Sequence, residues 1–89
     1  MGQCELSVVI PCLEEEETIG YCVEKALITI RKGRIDGEVI VADNGSKDNS
    51  VKIAESAGAR VAQVSEKGYG SALMGGIAEA RGRYIIMGD

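Results

Sequence analysis

The chain has no histidine, no tryptophan and no phenylalanine, and its 3% aromatic content is all tyrosine. Without histidine there is no mixed zinc site for Cys4, Cys12 and Cys22 to complete, and their odd number and lack of C-x-x-C spacing suit no metal knuckle. They read as three reduced thiols, which places the chain in the cytoplasm. Without phenylalanine or tryptophan, the core has to be built from Val, Ile, Leu and Ala. There is no excess of basic residues: the net charge is −4, which excludes a nucleic-acid binder that works by displacing counterions from a phosphate backbone. No apolar run reaches the roughly 20 residues of a membrane-spanning helix. Acids and polar residues interrupt the N-terminus too early for a signal peptide.

What is present is one domain's worth of alternating pattern. The 89 residues leave room for a single unit, and a chain of this size buries roughly 60–65% of its unfolded surface. Residues 5–10 form a continuous apolar run, of the kind found in parallel sheets covered on both faces. From about residue 16 to 31 the apolar positions Ile19, Cys22, Val23, Ala26, Leu27 and Ile30 make one helical stripe. Glu15, Glu16 and Glu17 are expected in its first turn and Arg31, Lys32 and Arg34 about its end, both favourable to the helix dipole. Residues 38–43 form a second strand. The turn after it offers Ser46 or Asp48 as N-cap to a short helix through Val51, Ala54 and Ala57, closed by Gly58. Residues 59–64 are a weaker third strand, and residues 71–80 a helix that buries Leu73 and Ile77. Gly75 and Gly76 weaken that helix by about 1 kcal/mol each, so close packing on the sheet has to account for them. Gly82 ends it, and a fourth apolar strand runs to Met87.

The order β-α-β-α-β-α-β with right-handed crossovers predicts a three-layer α/β/α Rossmann-like sandwich on a parallel sheet. If the fourth strand returns beside the first, the sheet order is 3-2-1-4 and the switch point lies between strands one and four. Ligands bind there, beyond the carboxyl ends of the strands. Three of these runs, taken as buried, end on acids: Pro11-Cys-Leu-Glu-Glu15, Asp43-Asn-Gly-Ser46 and Gly88-Asp89.

Familiar phosphate motifs do not fit. Leu73 occupies the third glycine position of a G-x-G-x-x-G pattern from Gly68, and Gly76 and Ile77 replace the Lys and hydroxyl of a P-loop pattern from Gly70. Lys67 is either solvated or placed to reach a phosphate. Asp43 is either a turn aspartate bonded to the backbone of Gly45 or Ser46, or an acceptor for a nucleobase N–H. Glu15 could accept from a ribose hydroxyl. Carboxylates beside an anionic diphosphate need a divalent cation between them, and Asp suits Mg²⁺ or Mn²⁺.

Three blocks together resemble the family 2 glycosyltransferases of the GT-A fold. Val8-Val-Ile-Pro-Cys-Leu-Glu-Glu-Glu-Glu-Thr-Ile19 is similar to the family opening VVIPxxNEExxI. Val41-Ala-Asp-Asn-Gly-Ser-Lys-Asp48 is similar to VVDDGSxD. Lys67-Gly-Tyr-Gly-Ser-Ala-Leu73 and Ala80-Arg-Gly-Arg-Tyr-Ile-Ile-Met-Gly-Asp89 are similar to KGxGxAL and ARGxYIxxxD. Dolichol- and polyprenyl-phosphate sugar transferases are the nearest in character. The resemblance implies a nucleotide-sugar site in which Pro11, Leu13 and Glu15 frame the nucleoside, Asp43 meets the base, and Lys67 and Gly68 lie near the base or diphosphate. It implies that Asp89 is the first acid of the metal-binding D-x-D motif, holding Mg²⁺ or Mn²⁺. Glu14 stands where the family usually has Asn, and Asn44 where a second Asp is common, each expected to loosen nucleoside contacts.

The resemblance also implies that residues 1–89 are the N-terminal, nucleotide-sugar-binding part of a transferase domain. The second acid, the acceptor region and the general base would lie beyond residue 89. The parent would then be an inverting, metal-assisted transferase, with a polyprenyl phosphate as a candidate acceptor and the cytoplasmic side of a membrane as a candidate location, and the 89 residues alone would be inactive. The alternative is a non-catalytic nucleotide-binding or assembly module of the same fold. Strand four or a bare sheet face is expected to drive homo-oligomer formation.

Overall fold

Four apolar runs separated by helices give a four-stranded parallel sheet, and a computed structural model describes residues 4–88 of it. The elements are β1 (Cys4–Cys12), α1 (Ile19–Lys32), β2 (Gly37–Asp43), α2 (Ser50–Ala57), β3 (Arg60–Gln63), α3 (Tyr69–Glu79) and β4 (Gly82–Met87). The sheet order is β3-β2-β1-β4, the order the alternating pattern predicts. Val9 lies opposite Ile40 and Met87, and Cys12 opposite Asp43.

Alternate residues of β1 and β2 feed two cores. On one face Ile10, Val39 and Val41 pack with Ile19, Val23 and Ile30 of α1 and Ala54 of α2. On the other, Val9, Ile40 and Ala42 pack with Ala62 and with Ala72 of α3. Both cores are aliphatic, as a chain without Phe or Trp requires. The adjacent glycines of α3 are explained by distance: a Cβ on Gly76 would stand 2.4 Å from Val9 Cγ1, and one on Gly75 2.4 Å from Val64 Cγ2. The helix lies almost on the strands. The residues it buries are therefore Ala72 and Gly76, while Leu73 and Ile77 are only half-buried, a correction to the expected pair.

Two further expectations are corrected. α1 starts at Ile19, and its first turn contains no acid. Glu15, Glu16 and Glu17 precede it, in a loop whose backbone and carboxylates are engaged by the segment leading into α2. β4 is not buried as its apolar run suggested, but forms the open edge that the 3-2-1-4 order predicts: Tyr84 to Met87 are exposed, because β1 is its sole strand neighbour among the described residues.

At the amino ends of the strands a polar network ties β4 to the sheet. The fully buried Ser7 hydroxyl donates to Glu38 Oε2 at 2.6 Å and accepts from Gly82 N–H at 2.8 Å. Glu38 Oε2 also accepts from Arg81 N–H at 2.8 Å, and Oε1 pairs with Arg60 at 3.0 Å. Burial alone would raise the Glu38 carboxyl. The Ser7 hydroxyl, the Arg81 N–H and the Arg60 guanidinium outweigh it and hold the group below its ordinary value.

Candidate functional site

At the opposite end, the carboxyl ends of β1 and β2 open into a cavity of about 370 Å³ lined by Pro11, Cys12, Leu13, Glu15, Asn44, Lys67, Gly68, Tyr69 and Ala72. Three segments meet here: the β1–α1 loop, the β2–α2 turn, and the loop that leads from β3 into α3. Of the residues singled out in the sequence, Pro11, Leu13, Glu15, Lys67 and Gly68 all line it. A larger groove of about 680 Å³ runs along β3 and α3, but Glu66 and Glu79 are its charged residues and it has no cation to meet an anionic ligand.

Asp43 does not line the cavity. It is 1% exposed, and its Oδ2 accepts from Gly45 N–H at 3.1 Å and Ser46 N–H at 2.9 Å. This is the turn geometry, one of the two readings the sequence leaves open for Asp43. The other oxygen, Oδ1, is buried without a hydrogen-bond partner. Beside it, burial pushes the Cys12 thiol up; the Ser50 hydroxyl offsets part of this and the Asp43 carboxylate adds to it. Cys12 thus lines the cavity with a buried thiol.

The residue that reaches the cavity from this turn is Asn44, which the sequence reading passed over as a departure. Its Nδ2 donates to Val64 O at 3.0 Å and Glu66 O at 2.7 Å, and its Oδ1 accepts from Gly68 N–H at 2.9 Å. Lys67 folds back over the same turn, its Nζ donating to the Asn44 carbonyl at 3.4 Å. Tyr69 was also missed. Its place between Gly68 and Gly70 at the mouth of a loop was the available signal.

The β1–α1 loop is held in turn by the start of α2. Glu14 N–H donates to Ser46 Oγ at 2.8 Å and Glu15 N–H to Ser50 Oγ at 2.9 Å. Glu16 Oε1 accepts from Asn49 N–H at 2.9 Å. The acids thus satisfy the open amides before α2 rather than those of α1. What remains at the cavity is an apolar wall from Pro11, Leu13 and Ala72, a phenol, a carboxylate at Glu15 and an ammonium at Lys67. Such a set suits a ligand with a flat apolar part, hydroxyl groups and an anionic part.

Asp89, the residue proposed for a metal, lies outside the described residues. Among the described residues, no three of the types His, Cys, Asp and Glu stand close enough to hold a metal ion.

Residues 7–89 match the sequence profile of Glycosyl transferase family 2. The chain belongs to that family. It is 44% identical over 84 residues to the low-salt glycan biosynthesis hexosyltransferase Agl6 of Haloferax volcanii, covering 94% of this chain and 20% of that protein. It is 34% identical over 98 residues to the dolichyl-phosphate beta-glucosyltransferase of Homo sapiens, covering 96% and 30%. The crystal structure of glucosyl-3-phosphoglycerate synthase from Mycobacterium tuberculosis, in complex with Mn²⁺, uridine diphosphate and glucosyl-3-phosphoglycerate, superposes with a TM-score of 0.76 at 32% identity, covering 97% of this chain and 34% of that one. The chain thus spans between 20% and 34% of the length of these relatives. The cavity is lined from the ends of β1 and β2 and from the β3–α3 loop, on the β2 side of β1 rather than between β1 and β4 as the strand order led one to expect. Among the described residues, no helix is long and apolar enough to cross a membrane.

Proposed function

We propose that these residues form the donor site of an inverting transferase that moves a sugar from a nucleotide sugar to an acceptor, with a polyprenyl phosphate as the acceptor class. One observation carries the reading: the cavity at the carboxyl ends of β1 and β2 gathers Pro11, Leu13, Glu15, Lys67 and Gly68 from separate parts of the chain. Pro11 and Leu13 offer apolar surface to the nucleoside, Glu15 accepts from a ribose hydroxyl, and Lys67 faces the diphosphate. Asp43 acts beneath them by shaping the turn. Asp89 is proposed as one oxygen ligand for Mg²⁺ or Mn²⁺, which when bound would supply positive charge to the diphosphate. The neighbouring synthase, whose crystals hold Mn²⁺ and uridine diphosphate, supports that choice. The base that deprotonates an acceptor is not assigned to any of these residues, so residues 1–89 are proposed to bind and not to turn over.

Calorimetric titration with nucleoside diphosphates in the presence of Mn²⁺ tests this. Lys67→Ala and Glu15→Ala are each expected to weaken binding by about 1.5–3 kcal/mol, the scale of a hydrogen bond to a charged group. If no nucleoside diphosphate binds, the donor-site reading fails. The exposed β4 favours a second reading, a non-catalytic assembly module, in which nucleotide is not bound and self-association persists.

A further inference from the structure

Asn44 is 5% exposed and sits at the end of β2, yet all its side-chain hydrogen bonds run to one distant segment. Its amide donates to two carbonyls, Val64 O and Glu66 O, and its oxygen accepts from Gly68 N–H. The segment so held presents Lys67 and Gly68 to the cavity. Gly68 is at φ +116, a backbone conformation that side-chain-bearing residues rarely adopt. Among the described residues no other side chain bonds this segment at more than one point: Val64 N–H donates to Asp43 O at 2.9 Å, and the Lys67 ammonium reaches the Asn44 carbonyl at a longer 3.4 Å.

We infer that Asn44 is a positioning residue for the donor site: its carboxamide clamps the 64–68 segment and so sets where Lys67 and the Gly68 N–H stand. The inference rests on the donor-site reading and deepens it. It gives Asn in this place a role beside any loosening of nucleoside contacts. A carboxylate of the same shape could accept from Gly68 N–H but would face two carbonyl oxygens with no hydrogen to give. The amide is therefore required by the loop, whatever else the position does toward a ligand.

The test uses Asn44→Asp and Asn44→Ala, read by amide hydrogen exchange and by titration with uridine diphosphate and Mn²⁺. Exchange at Val9 and Ile40 reports whether the core is intact, and Asn44→Ala serves if the Asp variant does not fold. Protection at Gly68 is expected to fall in both variants, and nucleotide affinity to drop about ten-fold, the scale of one hydrogen bond's net contribution. At mildly acid pH the new Asp carboxyl gains a proton it can donate to one carbonyl. Gly68 protection then returns in part in Asn44→Asp and not in Asn44→Ala, where Glu15, Glu66 and Lys67 are the same. Unchanged Gly68 exchange, or loosened exchange with unchanged affinity, would overturn the clamp. Absence of nucleotide binding by the unmodified protein would instead overturn the donor-site reading beneath it, and the clamp's proposed role with it.

Discussion

Glu14 and Ser46 hold each other's loops across 32 residues: Glu14 N–H donates to Ser46 Oγ at 2.8 Å, while the Glu14 carboxylate accepts from the next two amides, Lys47 N–H at 2.6 Å and Asp48 N–H at 3.1 Å. The backbone at Glu14 is left-handed, with φ 53. That conformation favours Gly or Asn and costs a side-chain-bearing residue about 1–2 kcal/mol. Here the carboxylate's bonds to the α2 approach offset it.

Two substitutions separate these effects. Glu14→Ala keeps the strained φ and loses the carboxylate's bonds, and is expected to lower unfolding free energy by about 1–2 kcal/mol. Glu14→Gly loses the same bonds but relieves the backbone, so its loss should be smaller by about 1 kcal/mol. Urea unfolding of both variants checks the order. A Gly variant less stable than the Ala variant would show that the left-handed backbone is not strained at this site.

Asp43 allows a sharper discrimination. If its role is the turn, Asp43→Ala frees the Gly45 and Ser46 N–H groups and should destabilise the fold by about 1–3 kcal/mol. Asp43→Asn keeps an oxygen for both amides, so its loss should be clearly smaller than that of Asp43→Ala. Thermal unfolding of the pair decides. If Asp43→Ala unfolds like the unmodified chain but loses nucleotide binding, the base-contact reading returns.

Glu38 gives the fold a pH dependence with a definite sign. Its folded-state pKa is depressed, chiefly because the Ser7 hydroxyl, Arg81 N–H and Arg60 outweigh the opposing effect of burial. The stabilisation is therefore fully present above the ordinary value of 4.5 and is lost as pH falls through the lower folded value. Glu38→Gln should cost stability at neutral pH and flatten this part of the acid limb. Denaturation midpoints recorded from neutral to acid pH test it; parallel curves for the two proteins would rule Glu38 out as a source.

The strand order was legible because apolar runs that end at acids and glycines alternate with helical stripes, a pattern that short right-handed crossovers convert into very few topologies. Most of the cavity was legible for the same reason: strand ends place Pro11, Leu13 and Glu15 without knowledge of their partners. The start of α1 was not. Glu15 to Glu17 look like a helix's first turn, but Glu15 N–H goes to Ser50 and Glu16 N–H to Asp48, partners more than 30 residues away. Asn44 was hidden likewise, since its bonds lie in a loop whose path no local pattern encodes. Strand four was legible in part: the strand order put it at an open edge, while its apolar run suggested burial. Composition reports that a strand is apolar, not whether a neighbour covers it.

That exposed strand leads to a proposal about assembly. Tyr84, Ile86 and Met87 are 60%, 53% and 57% exposed, and the run from Tyr84 to Met87 carries no charge and no proline. Its outer edge faces no other strand among the described residues. Unprotected apolar edges pair readily with another chain, and bare apolar faces add to the drive. Residues 1–89 by themselves are therefore predicted to self-associate through β4, by edge pairing or by exchange of a terminal element. Ile86→Lys places a charge on the strand and should shift sedimentation towards monomer. Met74→Lys, at a 67% exposed position on α3 in the groove beside β3, the opposite edge of the sheet, should leave association unchanged. Sedimentation velocity across a concentration series distinguishes the two variants. A chain that stays monomeric at every concentration would defeat the proposal, and equal weakening by both substitutions would move the contact away from β4.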